Sequence, residues 1–220
     1  MAQQLRLRLE RPERPTRDAF IAGVSNRDAL AALDRWPRWP GGCLVLVGPE
    51  GVGKTHLAQA WAADAGAAVL SREAPELDQA DGRPALLEDV DRGVPAEALF
   101  HLINLAGRDG AGLLMTARSR PTAWAADLPD LRSRLNALFV AEIEAPDDVV
   151  LEGVLRKFFR ERSIRPPEQV YPYLLQRMAR SIPEAQEVVR RMDEAAEGPI
   201  SRVLARAVLE DESQNLDLFE

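Results

Sequence analysis

Cysteine is nearly absent: Cys43 stands alone in 220 residues, which excludes an internal disulfide and any cysteine-built metal site, and a lone thiol fits a reducing compartment. Histidine is as scarce, and His56 and His101 are too few for a structural zinc site or a facial imidazole triad. No run of about 18 apolar residues occurs, so nothing reads as a bilayer span. The opening Met1-Ala2-Gln3-Gln4-Leu5-Arg6-Leu7-Arg8-Leu9-Glu10 carries charge where a secretory signal needs an unbroken apolar run. Positive charge is in deficit, with 28 Lys and Arg against 35 Asp and Glu for a net −7, which argues against a sequence-independent grip on duplex DNA. What remains is 46% hydrophobic and 5% aromatic, a composition that predicts a cytoplasmic globular protein with one main core and room for a small satellite.

The chain divides by its punctuation. Residues 1–19 alternate Leu with Arg and then run Arg11-Pro12-Glu13-Arg14-Pro15, too polar and proline-rich to pack, and read as a mobile arm. Ser25-Asn26-Arg27-Asp28 reads as an N-cap with an acid three places on, opening a helix whose Leu30, Leu33 and Trp36 share a face until Pro37 and Pro40 stop it. Short apolar runs at Cys43–Val47, Ala67–Leu70, Ala85–Leu87, Leu113–Thr116 and Phe139–Ile143 then alternate with helical stretches at Lys54–Ala65, Ala96–Ala106 and Asp130–Leu138. Unbroken apolar strands between helices predict a parallel sheet covered on both faces. Beyond Pro146 the pattern becomes all-helical, at Asp147–Arg162, Glu168–Ala179, Glu184–Ala195 and Ser201–Glu210, and Val150, Leu151, Val154, Leu155 and Phe158 give the first of these helices one apolar stripe. The expected division is an arm over 1–19, a base over 20–145, a helical lid over 146–210 and a second loose tail over 211–220.

Gly48-Pro49-Glu50-Gly51-Val52-Gly53-Lys54-Thr55 fits G-x-x-x-x-G-K-[ST] directly after a strand and before an apolar helix. Its glycines let backbone N–H groups curl round a phosphate chain at a helix N-terminus, where unpaired donors and the dipole favour an anion. Lys54 is then suited to the terminal phosphates and Thr55 to magnesium, while His56, which completes the candidate cofactor-binding run, suits packing better than proton transfer. Ala85-Leu86-Leu87-Glu88-Asp89 ends an apolar strand in two acids. Glu88 is the candidate magnesium ligand beside Thr55, and Glu88 and Asp89 are the candidate catalytic acids, one holding the metal and the other orienting water. A solvated acidic strand end is the competing reading of that pair.

Together, Gly48 to Leu57 (GPEGVGKTHL), the acidic strand end, Leu113-Leu114-Met115-Thr116, Leu131-Arg132-Ser133-Arg134-Leu135 and Glu142-Ile143-Glu144-Ala145-Pro146-Asp147 resemble the AAA+ module of the bacterial replication initiator DnaA. A module of this kind carrying only a short arm, without a helix-turn-helix domain, is similar to the Hda-like regulators of replication initiation. The resemblance implies an α/β fold, a AAA+ P-loop NTPase domain with a parallel five-stranded sheet followed by a small all-helical lid. It implies ATP or ADP with Mg2+ as cofactors and an arginine finger at Arg134, acting in trans on ATP held by a DnaA partner. Gln4-Leu5-Arg6-Leu7-Arg8-Leu9 is similar to the Q-L-x-L-x-L element that binds the DNA polymerase sliding clamp, and Gln214-Asn215-Leu216-Asp217-Leu218-Phe219 to the form with a terminal aromatic. The candidate clamp-binding residues are therefore Gln4, Leu5, Leu7, Leu9, Gln214, Leu216, Leu218 and Phe219, with DNA met only indirectly, no membrane partner, and a homodimer left open.

Three departures temper the resemblance. The strand ends Glu88-Asp89 where many AAA+ proteins place Asp before the catalytic acid, and Ala117-Arg118 stand where the initiator tends to have Ser and Asp. Pro183 aligns with the initiator's nucleotide-sensing Arg, so nucleotide is expected to be retained while the chain's own turnover is weak. Two alternatives stay open: a self-sufficient ATPase of the helicase-loader kind, and a non-catalytic module that nucleotide merely stabilises.

Overall fold

A computed structural model describes residues 15–108, 111–124, 128–196 and 198–216, the last six of these as backbone alone. Five strands, β1 (Cys43–Val47), β2 (Ala68–Leu70), β3 (Pro84–Leu87), β4 (Gly112–Ala117) and β5 (Phe139–Glu142), form one sheet in the order β2-β3-β4-β1-β5. Every pairing is parallel, with Val47 opposite Ala117 and Glu142 at the strand ends. Alternate residues of these runs feed opposite layers, which is why the runs are unbroken. Cys43, Val45, Leu113 and Met115 pack with α3 (Ala96–Ala106) and α4 (Pro129–Asn136), while Leu44, Leu46 and Leu114 pack with α1 (Arg27–Leu33) and α2 (Lys54–Ala65).

The lid has one core instead of two. Leu151, Leu155 and Phe159 of α5 (Asp148–Glu161) meet Tyr171 and Leu174 of α6 (Val170–Leu175), Val188 and Met192 of α7 (Ile182–Glu194) and Ala205 of α8 (Arg202–Leu216). Each long helix opens on a side-chain cap. Asp147 Oδ1 accepts from the Val150 amide at 3.0 Å, Ser181 Oγ from Glu184 at 3.2 Å and Ser201 Oγ from Leu204 at 3.2 Å. Among the described residues no helix is long and apolar enough to cross a membrane.

The elements follow the sequence pattern, with strands β2 to β5 and helices α5 and α7 shifted by one or two residues at their ends and with helices α1, α4, α6 and α8 differing as well. The first helix begins at Arg27 after a single 3-10 turn over Val24–Asn26, because Ser25 is buried and its amide donates to Asp147 Oδ2 at 2.9 Å. That serine pins the base to the start of α5 and does not cap α1. The helix expected over Glu168–Ala179 shortens to Val170–Leu175, with Pro172 in its first turn. The helix expected over Asp130–Leu138 runs Pro129–Asn136. At the far end α8 continues to Leu216, past the expected stop at Glu210, since no Gly or Pro interrupts 202–216.

Candidate functional site

At the carboxyl end of β1 the chain must leave the sheet and reverse into α2, and two glycines take the left-handed backbone that this demands, Gly51 at φ +74° and Gly53 at φ +97°. The loop is tied to both neighbouring strand ends: the Gly48 amide donates to the Ala117 carbonyl at 3.3 Å, and the Ile143 amide to the Val47 carbonyl at 2.8 Å. Lys54 is buried, 7% exposed, and its ammonium donates to the Gly48 and Pro49 carbonyls, both at 2.7 Å. Burial lowers the Lys54 pKa from its ordinary value; the Asp89 carboxylate opposes that and the Arg118 guanidinium reinforces it. Thr55 is exposed at the first turn of α2.

The acidic strand end arrives beside the loop in an ordered form. Glu88 Oε2 accepts from Gln59 Nε2 of α2 at 3.1 Å, while its Oε1 is buried with no protein partner. A buried carboxylate oxygen left unpaired costs free energy unless a cation or water meets it. Asp89 sits at φ +52°, its amide donating to Thr116 Oγ1 at 3.0 Å and its carboxylate 3.3 Å from Arg92. Asp91 holds the end of β4: its Oδ2 accepts from the Arg118 amide at 2.8 Å and from the Ser119 amide and hydroxyl at 3.0 and 3.1 Å.

The lid closes over this loop. The Ile182 amide donates to the Gly51 carbonyl at 3.2 Å, and the Pro183 ring lies so close that a Cβ on Gly51 would stand 2.6 Å from its Cδ. Beside the loop, between base and lid, lies an apolar chamber lined by Phe20, Ile21, Val150, Val154, Phe158 and Ile182, with His56 and Lys157 at its edge. His56 stacks against Phe20 with ring centroids 5.7 Å apart, and its Nε2 is 3.0 Å from the Thr16 carbonyl. Sequence reasoning missed this chamber. Phe20 and Ile21 were the available signal, an apolar pair at the end of a polar arm, and the Val150, Val154, Phe158 part of the α5 stripe belongs to the lid core and lines the chamber as well.

The residues fit a nucleotide carried with magnesium. The loop offers a glycine cradle and a lysine, the chamber an apolar slot for a flat base, and Glu88 an unpartnered oxygen near Thr55's helix. Among the described residues no group of three or more His, Cys, Asp or Glu side chains is placed to hold a metal on its own, so phosphate oxygens must complete any magnesium shell.

Arg134 lies elsewhere. It is exposed on α4 with its guanidinium 4.8 Å from the centroid of Phe100 on α3. Of the candidate clamp-binding residues, Gln4, Leu5, Leu7, Leu9, Leu218 and Phe219 lie outside the described residues, and Gln214 and Leu216 fall in the last turn of α8.

Residues 44–118 match the AAA family, the ATPases associated with various cellular activities. The chain is 29% identical over 234 residues to the chromosomal replication initiator protein DnaA of Sphingopyxis alaskensis, covering 92% of this chain and 49% of that protein. It thus spans about half the length of the curated relatives it matches. Domain III of the Thermotoga maritima replication initiation protein DnaA superposes with a TM-score of 0.72 at 21% identity, over 90% of this chain and 97% of that one. AMPPCP-bound DnaA from Aquifex aeolicus superposes with a TM-score of 0.64 at 22% identity, over 81% of this chain and 64% of that one.

Proposed function

We propose, taking as premise that this chain is a DnaA-like AAA+ protein, that it is a cytoplasmic adaptor which holds an adenine nucleotide for architecture and lends Arg134 to ATP bound by a neighbouring replication initiator. The observation that carries this reading is what the lid sets on the phosphate loop: the ring of Pro183 and the amide of Ile182. The nearby Arg180 is turned to the hinge, donating to Asp148 Oδ1 and the Pro146 carbonyl, both at 2.8 Å. A proline ring and an amide bring no charge to a leaving phosphate, so intrinsic turnover is expected to be slow.

In this scheme Lys54 and the loop amides bind phosphates, Thr55 and Glu88 hold the magnesium, and the chamber takes the base. Magnesium supplies charge neutralisation on the phosphates. The bound state joins base to lid, because Phe20 and Ile21 of one and Val150, Val154 and Ile182 of the other line a single chamber. Arg134, exposed on α4 and stacked over Phe100, is suited to reach a second chain, where a guanidinium at a transferring phosphoryl group raises rate by about 10³ to 10⁵ in comparable systems. The arm would dock on the sliding clamp through Gln4, Leu5, Leu7 and Leu9, an extended peptide pressing leucines into a groove.

The test is DnaA-bound ATP hydrolysis with and without DNA-loaded clamp, using wild type, Arg134→Ala and a chain lacking residues 1–10. Wild type should accelerate hydrolysis, Arg134→Ala should abolish the acceleration, and the truncated chain should lose the clamp's contribution. No acceleration by wild type overturns the regulatory reading. The buried, unpartnered Glu88 Oε1 favours a second reading, a self-sufficient ATPase, and turnover by the chain alone in the same assay would establish it.

A further inference from the structure

We infer that the cleft between α6 and α8 of the lid is a docking surface for a protein partner, which it grips through an acidic peptide segment carrying apolar residues among its carboxylates. The inference goes beyond the nucleotide reading and uses none of its residues.

Tyr173, Arg177, Arg202, Val203, Arg206 and Glu210 line the cleft. Helical spacing gathers them: Arg177 comes four residues after Tyr173 at the end of α6, and Arg202, Arg206 and Glu210 follow one another at four-residue steps along α8. Leu174 of α6 and Ala205 and Val208 of α8 are buried in the lid core, which fixes both helices while the three arginines stay exposed. Two of them share one aromatic ring, with the Arg177 guanidinium 4.2 Å and the Arg202 guanidinium 4.9 Å from the Tyr173 centroid. A guanidinium laid on a ring gives up rotamer freedom in advance and keeps its in-plane N–H donors for an acceptor.

Such a cluster does little for the fold. The pair of Arg206 with Glu210, at 2.6 Å, joins side chains that are 67% and 58% exposed, and pairs of that kind contribute little. Glu210 is the one acid among the lining residues, so three like charges are held near one another in a chain whose net charge is −7. An incoming carboxylate relieves that repulsion and gains charge-assisted hydrogen bonds.

The lining favours a peptide over a nucleic acid strand. Single strands bind by stacking bases on open aromatic faces, whereas the Tyr173 ring is taken up by Arg177 and Arg202. Glu210 repels a continuous phosphate backbone, while a peptide can set its acids at the arginines and a neutral residue beside Glu210. Val203, 79% exposed next to Arg202, offers an apolar contact that suits a leucine or valine of the same peptide and serves no phosphate chain.

The experiment is fluorescence anisotropy of the full chain with three labelled probes: a short Glu-rich peptide containing leucines, the same peptide with serine in place of leucine, and single-stranded oligothymidylate. Wild type should bind the leucine peptide about threefold more tightly than the serine peptide, the worth of a small apolar contact, and more tightly than oligothymidylate. Arg177→Gln and Arg202→Gln should each weaken the leucine peptide about tenfold, the loss of one charged hydrogen-bonding partner. Val203→Ser should erase the advantage of leucine over serine, and this exposed position decides the matter if an arginine variant does not fold. Failure of wild type to bind either peptide, binding unchanged in both arginine variants, a leucine advantage that survives Val203→Ser, or oligothymidylate bound as tightly as the peptides overturns the inference. None of these outcomes touches the nucleotide reading.

Discussion

In the base, apolar residues alternate across a sheet and fill two layers; in the lid they recur at helical spacing and fill one. The base closes both cores without help, since each sheet face has its own helices. The lid is a bundle of four helices, and so small a core retains little surplus over its conformational entropy. The lid meets the base at several points, among them Ser25 to Asp147, Gly51 to Ile182 and Pro183, Ile21 to Gly153, and the chamber walls. Leu151, Leu155 and Phe159 of α5 serve the lid core alone, whereas Val150, Val154 and Phe158 belong to that core and line the chamber too. The difference puts the proposed nucleotide site where the less self-sufficient part meets the more self-sufficient one, which makes lid order its natural readout.

The sharpest way to test that contrast is Phe159→Ala. Phe159 is 1% exposed and stacks edge-on to Tyr171 at 6.1 Å, so its removal should cost about 3–5 kcal/mol. Hydrogen exchange should then show α5 to α7 losing protection while β1 and β4 keep theirs; simultaneous loss in both would break the comparison. Gly51→Ala comes next. At φ +74° with the Pro183 ring in the way, a methyl group should cost about 1–2 kcal/mol and weaken nucleotide binding roughly tenfold, read by calorimetry together with faster exchange at the start of α7.

The smallest effect is expected at the Asp147 hinge. Burial works against its carboxylate, yet hydrogen bonds from the Ser25 and Val150 amides outweigh burial and hold its pKa below the ordinary value. A carboxylate depressed in the folded state contributes stability that is present above its unfolded pKa, near 4, and is lost as pH falls through the folded value. Asp147→Ala should therefore cost about 1 kcal/mol at neutral pH, a difference that shrinks as denaturation is repeated below about pH 4. A deficit that does not change with pH would show that the carboxylate's charge has no part in the hinge.

The sequence announced the base more clearly than the lid, for reasons visible in particular residues. Cys43–Val47, Lys54–Ala65 and Ala96–Ala106 fall where the pattern put them, because buried parallel strands read as unbroken apolar runs and the glycines of the phosphate loop fix where α2 starts. Ser25 was misread as a cap because its partner, Asp147, is 122 residues away. The chamber was hidden for a related reason. Val150, Val154 and Phe158 share helical periodicity with the rest of the lid core they belong to, and periodicity alone cannot show that a core stripe also lines a chamber. The pairing of Arg118 with Glu50 likewise depends on β4 lying beside β1, a topological fact that no local pattern encodes.

Thermal unfolding of the nucleotide-stripped chain with and without ADP and magnesium tests most directly whether nucleotide joins lid to base. At about 100 times the dissociation constant, binding should add about 2.7 kcal/mol and raise Tm by roughly 5–10 °C, with protection gained along α5 and α7, while Lys54→Ala shows neither change. A wild-type Tm that does not move at millimolar ADP, with exchange in the lid unaltered, would contradict it.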